Sequence, residues 1–103
     1  MKLAEIFIPL NDNNGTDFPA SLYQRIEKEL TDQFGGVTAF SRAPAKGRWK
    51  EDDTGTVAKD DIVIFEVMTD IIDLTWWKNY QTELKKIFDQ DEILIRFSDV
   101  EML

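Results

Sequence analysis

The chain has 103 residues, with 12 basic and 20 acidic side chains and a formal net charge of −8. This length fits one domain with a single core. Because so acidic a chain repels phosphate backbones, nucleic acid is not an expected partner. Cysteine and histidine are both absent, which excludes disulfides, thiol nucleophiles, zinc sites of the Cys/His kind, histidine-ligated haem and Ser-His-Asp triads.

The first half of the chain predicts a strand, a helix and a second strand. Residues 3–10 carry alternating side chains that are apolar on both faces, as in a central strand. Pro19 suits the first turn of a helix whose apolar stripe runs to Phe34, and Gly35 follows as a left-handed C-terminal cap. Residues 37–42 then form a short strand.

The second half predicts a strand, a helix and a last strand. Residues 37–50 and 57–69 are expected to form a hairpin with a long polar tip, and the β-branched residues of the second arm indicate a buried central strand. Asp73 is placed to cap a second helix. Residues 92–97 form the last strand.

This β-α-β-β-α-β order predicts one α+β domain over residues 1–103, a ferredoxin-like sandwich. Its four-stranded antiparallel sheet has the order 4-1-3-2, and both helices cover one face. The first and third strands are expected to be central because they are the most apolar.

Compartment is inferred from the absence of targeting signals. The N-terminal segment is too short and too charged for a signal peptide. No stretch approaches the ~20 apolar residues that span a bilayer. We therefore expect a cytoplasmic protein that does not contact membranes.

The sheet face without helices is the most informative predicted feature. It should carry five apolar side chains, those of Leu3, Phe7, Ile62, Ile64 and Met68, and that of Phe40 if the register of the second strand allows. Exposed apolar patches of this kind usually mark an interface or a ligand groove. We therefore expect a homodimer formed through the sheet faces, in the manner of a dimeric α+β barrel, with a dimer through a strand edge or a helix face as the alternative.

Charged residues on neighbouring strands of that face are expected to pair. Glu5 would face Arg96, and Glu66 would face Arg42. Two interpretations stay open. The charges could line a pocket for an anionic ligand, or they could be structural ion pairs that fix the register of the dimer.

A basic segment follows the second strand in this otherwise acidic chain. Arg42, Arg48 and Trp49 lie within nine residues that hold four basic side chains. They could clamp an anionic or aromatic molecule at the pocket mouth, or simply protect an edge strand against aggregation. The candidate ligand-binding residues are therefore Arg42, Arg48, Trp49, Glu66 and Arg96. No catalytic residue, metal or cofactor is predicted.

Adjacent tryptophans on the second helix cannot both face the sheet, because neighbouring helical residues point about 100° apart. One of Trp76 and Trp77 should fill the core, and the other should lean on Ile71 or Ile72 or reach a partner.

Residues 34–49 and 60–68, followed by Trp76-Trp77, resemble a family of small bacterial proteins of about this length. The resemblance covers nearly the whole chain and implies a bacterial source. The family has no assigned activity, so the resemblance implies no catalytic role.

Three functions are consistent with these features. The first is a homodimeric domain, structural or regulatory, that uses its open sheet face to bind a small anionic or aromatic molecule. The second is a cofactor-free enzyme of the dimeric α+β barrel type, such as a monooxygenase or isomerase. The third is an interaction or immunity module whose acidic surface docks a basic protein.

Overall fold

A computed structural model of the chain describes residues 1–42 and 62–103. It confirms the α+β class, with four strands and two helices. The elements in chain order are β1 (Lys2–Pro9), α1 (Ala20–Phe34), β2 (Thr38–Arg42), β3 (Ile62–Thr69), α2 (Leu74–Ile87) and β4 (Ile95–Asp99). The tip of the predicted hairpin lies outside the described residues.

The four strands form one antiparallel sheet in the order β2-β3-β1-β4. This is the predicted order 4-1-3-2 counted from the opposite edge. The apolar strands β1 and β3 lie in the middle, as expected. Backbone bonds of 3.0 Å from the Phe7 amide to the Leu94 carbonyl and from the Val100 amide to the Met1 carbonyl extend the β1–β4 pairing at both ends.

The core lies between one face of the sheet and the two helices. Alternate residues of β1 and β3 point into it, and those of β1 are fully buried. The two helices pack against this same set of sheet residues in a single apolar cluster. The members from β1 and β3 are Ala4, Ile6, Ile8, Val63, Phe65 and Val67, and those from the helices include Ile26, Leu30, Trp77, Tyr80 and Leu84.

Both predicted helix caps are present. Gly35 ends α1 at φ 84°, and its amide donates to the Thr31 carbonyl. Asp73 begins α2, and its side chain accepts a 3.2 Å hydrogen bond from the Trp76 amide. In both cases local chemistry satisfies backbone groups that the helix itself leaves without partners.

The last strand begins three residues later than predicted and ends two residues later. Ile93 is buried, and its carbonyl accepts a 2.7 Å hydrogen bond from the Gln81 side chain, which ties this residue to α2 rather than to the sheet. At the other end Asp99 lies opposite Lys2, and their side chains form an ion pair that prolongs the strand.

Trp77 is the core tryptophan, at 3% exposure. Trp76 is half-buried and packs on Phe34 and Tyr80, at ring separations of 5.1 and 4.9 Å. Of the two isoleucines expected as neighbours of the second tryptophan, Ile71 is 78% exposed, while Ile72 packs against the core. Within the described residues, no helix combines the length and apolar character needed to cross a membrane.

Candidate functional site

Strand register determines which side chains share the face opposite the helices, here called the open face. Residues directly opposite one another in an antiparallel pair lie on the same face. Leu3 lies opposite Met68, Phe7 opposite Ile64, and Pro9 opposite Ile62. The five predicted apolar residues are therefore all placed on the open face.

Three charged residues cross the open face in one line, called the charged row here. Glu66 on β3 lies opposite Glu5 on β1, and Glu5 lies opposite Arg96 on β4. The predicted pair of Glu5 and Arg96 is confirmed, with Nε of Arg96 donating to Oε1 of Glu5 over 2.9 Å. This bond raises the pKa of Arg96 above its ordinary value.

The charged row adjoins the aromatic ring of Phe7, which lies two residues after Glu5 on β1. The guanidinium carbon of Arg96 lies 4.9 Å from the centre of the Phe7 ring, within the range of a cation–π contact. The Glu5 side chain beneath is only 16% exposed, whereas Arg96 remains 59% exposed. Arg96 therefore has further N–H groups to offer a ligand while it holds Glu5 in place.

The predicted pairing of Glu66 with Arg42 is wrong. Thr38 lies opposite Glu66, and Arg42 lies opposite Ile62, four residues further along β3. The sequence could not fix this register, because a shift along a short strand such as β2 changes every cross-strand partner. Two carboxylates thus stand side by side in the charged row with one arginine.

The apolar side chains of the open face are less exposed than the sequence predicted. Among the five apolar residues named above, Met68 is exposed, at 42%, while Ile64 is buried at 4%. Leu3, Phe7 and Ile62 are half-buried, and the guanidinium of Arg96 covers part of the Phe7 ring. An arginine stem and head can shield apolar surface in this way while staying hydrated.

A groove of about 950 Å³ opens beside the charged row, at the end of the sheet where β1 stops. We call it the end groove. One side is apolar and includes Phe7, Ile62 and Leu94; the other carries carboxamides and charged groups, among them Asn11, Gln81, Gln90 and Lys85. Its volume lies within the range of small-molecule sites, about 300–1,000 Å³.

The loop before α1 shapes this groove through its own hydrogen bonds. Oδ1 of Asp12 accepts from the amides of Asn14 and Thr16, at 2.9 and 2.8 Å. Gly15 adopts φ 83°, which its missing side chain permits. A side-chain bond between Asn11 and Asp17 ties the two ends of the loop together. The polar wall of the end groove is therefore built on an ordered turn.

Of the predicted ligand-binding residues, Glu66 and Arg96 lie in the charged row. Arg42 lies on β2 opposite Ile62, which lines the end groove. Arg48 and Trp49 lie outside the described residues. The structure thus brings together Glu66 and Arg96 and puts the backbone of Arg42 at the groove end of the sheet.

The carboxamides of the end groove were missed because the sequence offers only a weak signal for them. Asn11 belongs to a run of turn-forming residues, and Gln81 sits among the polar residues of α2. The contact between Arg96 and Phe7 could have been predicted from the sequence, because the predicted sheet order places both residues on the open face.

Comparisons with known proteins support the fold alone. No family model matches the chain, and no curated protein matches it. Among solved structures, it is similar to a phage SAM lyase determined in complex with S-methyl-5′-thioadenosine, with a TM-score of 0.57 and 15% sequence identity. The match covers 95% of this chain and 80% of the lyase chain. The resemblance to small bacterial proteins stays a prediction.

The chemistry available on the open face is ionic. No group of three or more acidic, histidine or cysteine residues capable of holding a metal occurs in residues 1–42 and 62–103. The charged row instead offers two carboxylates and a guanidinium beside an aromatic ring. It can neutralise a charged ligand group and orient it by hydrogen bonds.

Proposed function

We propose that this protein is a ferredoxin-like binding domain for a small charged or aromatic molecule, held between the charged row and the end groove. The observation that carries the proposal is the Arg96–Glu5 pair, whose guanidinium lies over Phe7, a residue that lines a groove of about 950 Å³. A groove of this volume, with an apolar side and a few polar groups that can fix a ligand's orientation, is typical of small-molecule sites.

The charge balance of the row supports a ligand that brings its own charges. Like charges directly opposite one another destabilise a sheet, and Glu66 faces Glu5 in this way. A cationic group placed between the carboxylates would relieve that repulsion. An anionic group would use the free N–H groups of Arg96, and Lys85 in the groove would add a second cation.

A thermal-shift screen tests this proposal. The panel contains small carboxylates, nucleosides, nucleotides and S-methyl-5′-thioadenosine. A hit should raise the melting temperature of the natural protein, and Arg96→Gln should weaken its binding about tenfold by removing charge-assisted hydrogen bonds. Lys78→Gln, which removes a positive charge on the exposed side of α2 away from the end groove, serves as the control. If Lys78→Gln weakens binding as much as Arg96→Gln, the ligand does not sit at the charged row.

The proposal includes a homodimer in which a second copy covers the open face. Exposed apolar side chains on the open face, those of Met68 and Leu94, support such a contact. Light scattering coupled to size exclusion measures the mass in solution. A monomer at high concentration would remove the dimer from the proposal and leave the ligand site standing.

A cofactor-free enzyme is the second candidate, and the fold shared with the phage SAM lyase favours it. Two adjacent carboxylates suit either proton transfer or stabilisation of a positively charged substrate. The test is incubation with S-adenosylmethionine, followed by chromatography for S-methyl-5′-thioadenosine. Product that forms with the natural protein and not with Glu66→Gln would favour this candidate, and no product above the buffer rate would eliminate it for this substrate.

A further inference from the structure

The loop between β1 and α1 carries the pair Asn14-Gly15 in an exposed position. Asparagine is a chemically labile residue, because the backbone nitrogen of the residue that follows it can attack its side-chain carbonyl carbon. Glycine in that following position leaves the attack unhindered, since it has no side chain. The other asparagines, at positions 11, 13 and 79, each precede a residue that has a side chain. Asn14 is therefore the asparagine most open to this reaction.

The surroundings of Gly15 leave space for such an attack. Gly15 adopts φ 83°, and a Cβ added there would meet no atom within 4 Å. Neighbouring side chains therefore do not shield the pair. Any protection of Asn14 has to come from the hydrogen bonds of the loop itself.

Those hydrogen bonds converge on Asp12, in what we call the Asp12 turn. The Gly15 nitrogen, which is the attacking atom, donates to the Asp12 carbonyl over 3.0 Å. Oδ1 of Asp12 accepts from the amides of Asn14 and Thr16, at 2.9 and 2.8 Å. The attacking nitrogen must lose its proton and approach the Asn14 side chain, so the Asp12 turn has to open locally before the reaction can begin.

We propose that Asn14 is a site of spontaneous deamidation, and that opening of the Asp12 turn controls its rate. The Gly15 nitrogen loses its proton and forms a bond to Cγ of Asn14. The bond from Cγ to Nδ2 breaks, and ammonia leaves with that proton. Water then opens the cyclic imide. Cleavage between Cγ and the nitrogen gives aspartate, and cleavage between the main-chain carbonyl carbon and the nitrogen gives isoaspartate.

Both products change the loop that shapes the end groove. Each adds a carboxylate close to Asp12 and Asp17, in a chain whose net charge is already −8. Isoaspartate also inserts a methylene into the main chain between residues 14 and 15, so the bonds that converge on Asp12 cannot keep their geometry. Because Asp12 and both of its neighbours line the end groove, deamidation alters the polar wall of that groove.

Peptide mapping by mass spectrometry tests the proposal on the natural protein. One sample stays folded in neutral buffer at physiological temperature, and a second is unfolded in guanidinium chloride at the same pH and temperature. Both should show the mass gain of NH2 replaced by OH at Asn14, at a rate about tenfold lower in the folded sample because the turn must open first. Asn13 and Asn79 are the internal controls and should stay unchanged.

Two aspartate variants test the role of the Asp12 turn. Asp12→Ala removes the side-chain acceptor of the Asn14 and Thr16 amides. It should therefore bring the rate in the folded protein closer to that of the unfolded chain. Asp91→Ala, an exposed change outside the loop, is the matched control and should leave the rate unchanged. Circular dichroism verifies that both variants are folded, and the two samples of the natural protein test the proposal even if Asp12→Ala is not.

The two parts of the proposal fail on different results. No mass gain at Asn14 in the unfolded chain, or an equal gain at Asn13, would overturn the assigned site. Equal rates in the folded and unfolded samples would overturn control by the turn. Equal rates for Asp12→Ala and Asp91→Ala, with both variants folded, would do the same.

Discussion

The two glutamates of the charged row, Glu5 and Glu66, lie on the same surface but differ in their electrostatic surroundings. Glu5 accepts a hydrogen bond from Arg96 and is mostly buried. Glu66 lies directly opposite Glu5, and no cation pairs with it among the side chains that the structure describes. The free protein therefore carries an electrostatic repulsion at the place where we propose that it binds its ligand.

Glu66→Gln should stabilise the free protein. Removal of one charge ends the cross-strand repulsion with Glu5, which is worth about 0.2–1 kcal/mol. Urea unfolding at neutral pH measures the change. Glu5→Gln should instead destabilise, because it weakens the bond to Arg96 and leaves the guanidinium without its carboxylate. An equal effect from both variants would contradict the asymmetry described for the row.

Both tyrosines should ionise only at high pH. Burial, with the nearby charge of Asp17, raises the pKa of Tyr23 from 10.0 to about 12, while its hydroxyl donates to the Pro9 carbonyl over 2.7 Å. The pKa of Tyr80 is also raised. An ultraviolet titration of the folded protein should therefore show no phenolate step near pH 10.

The raised pKa of Tyr23 also has a consequence for stability. The folded state holds this proton more tightly than the unfolded state, so the stabilising contribution is complete below pH 10 and is lost as pH rises towards about 12. Tyr23→Phe lacks this proton. Its stability should fall less steeply between pH 10 and 12 than that of the natural protein, and parallel curves would refute the assignment.

At the scale of the elements, the two glycines after α1 differ in backbone conformation. Gly35 is held at φ 84°, and a Cβ added there would meet no atom within 4 Å. Gly36 has equally open surroundings and no positive φ. The structural demand at this corner is therefore for a left-handed backbone at Gly35 and not for space.

Gly35→Ala should destabilise the protein by about 1 kcal/mol, the cost of a left-handed conformation for an L-residue with a side chain. Gly36→Ala is the matched control and should change stability little. Urea denaturation of the two variants makes the comparison. If Gly36→Ala costs as much, the loss comes from some property other than the cap.

The elements were predictable because their signals are local. The cap at Asp73, the glycine after Phe34 and the alternation in β1 each depend on a few adjacent residues. The register of β2 was not predictable, because it depends on pairing with a strand that is distant in the chain. The predicted partner of Arg42 was therefore wrong. The predicted start of β4 was wrong for a similar reason, because the Gln81 side chain of α2 donates a hydrogen bond to the Ile93 carbonyl.

The candidate site was predictable to the extent that it follows from strand parity. Parity placed Glu5, Glu66, Phe7 and Arg96 on one face, and the structure agrees. The end groove depends on how loops meet after folding, for example through the bond from Gln90 to Asn13. Sequence periodicity carries no information about such contacts between loops.

For the molecule as a whole, the proposed homodimer depends on the open face. Met68→Glu and Leu94→Glu each place a charge on this face where an apolar side chain is exposed. Both should weaken a dimer formed through the face, because an unpaired charge would be buried there. Ile71→Glu is the control, since Ile71 is 78% exposed in the turn before α2.

Analytical ultracentrifugation over a range of concentrations measures this effect. A higher dissociation constant for Met68→Glu and Leu94→Glu, with Ile71→Glu unchanged, would support the shared face. If Ile71→Glu alone dissociates the dimer, the contact lies at the α2 end of the molecule instead.

The central position of β1 has a consequence for how the chain is synthesised. β1 precedes β3 and β4 in the chain, yet it pairs with both of them. A nascent chain that has emerged only through α2 exposes one edge of β1, and unpaired edges of this kind invite aggregation. A chaperone that shields this edge until β4 emerges would therefore increase the yield of folded protein.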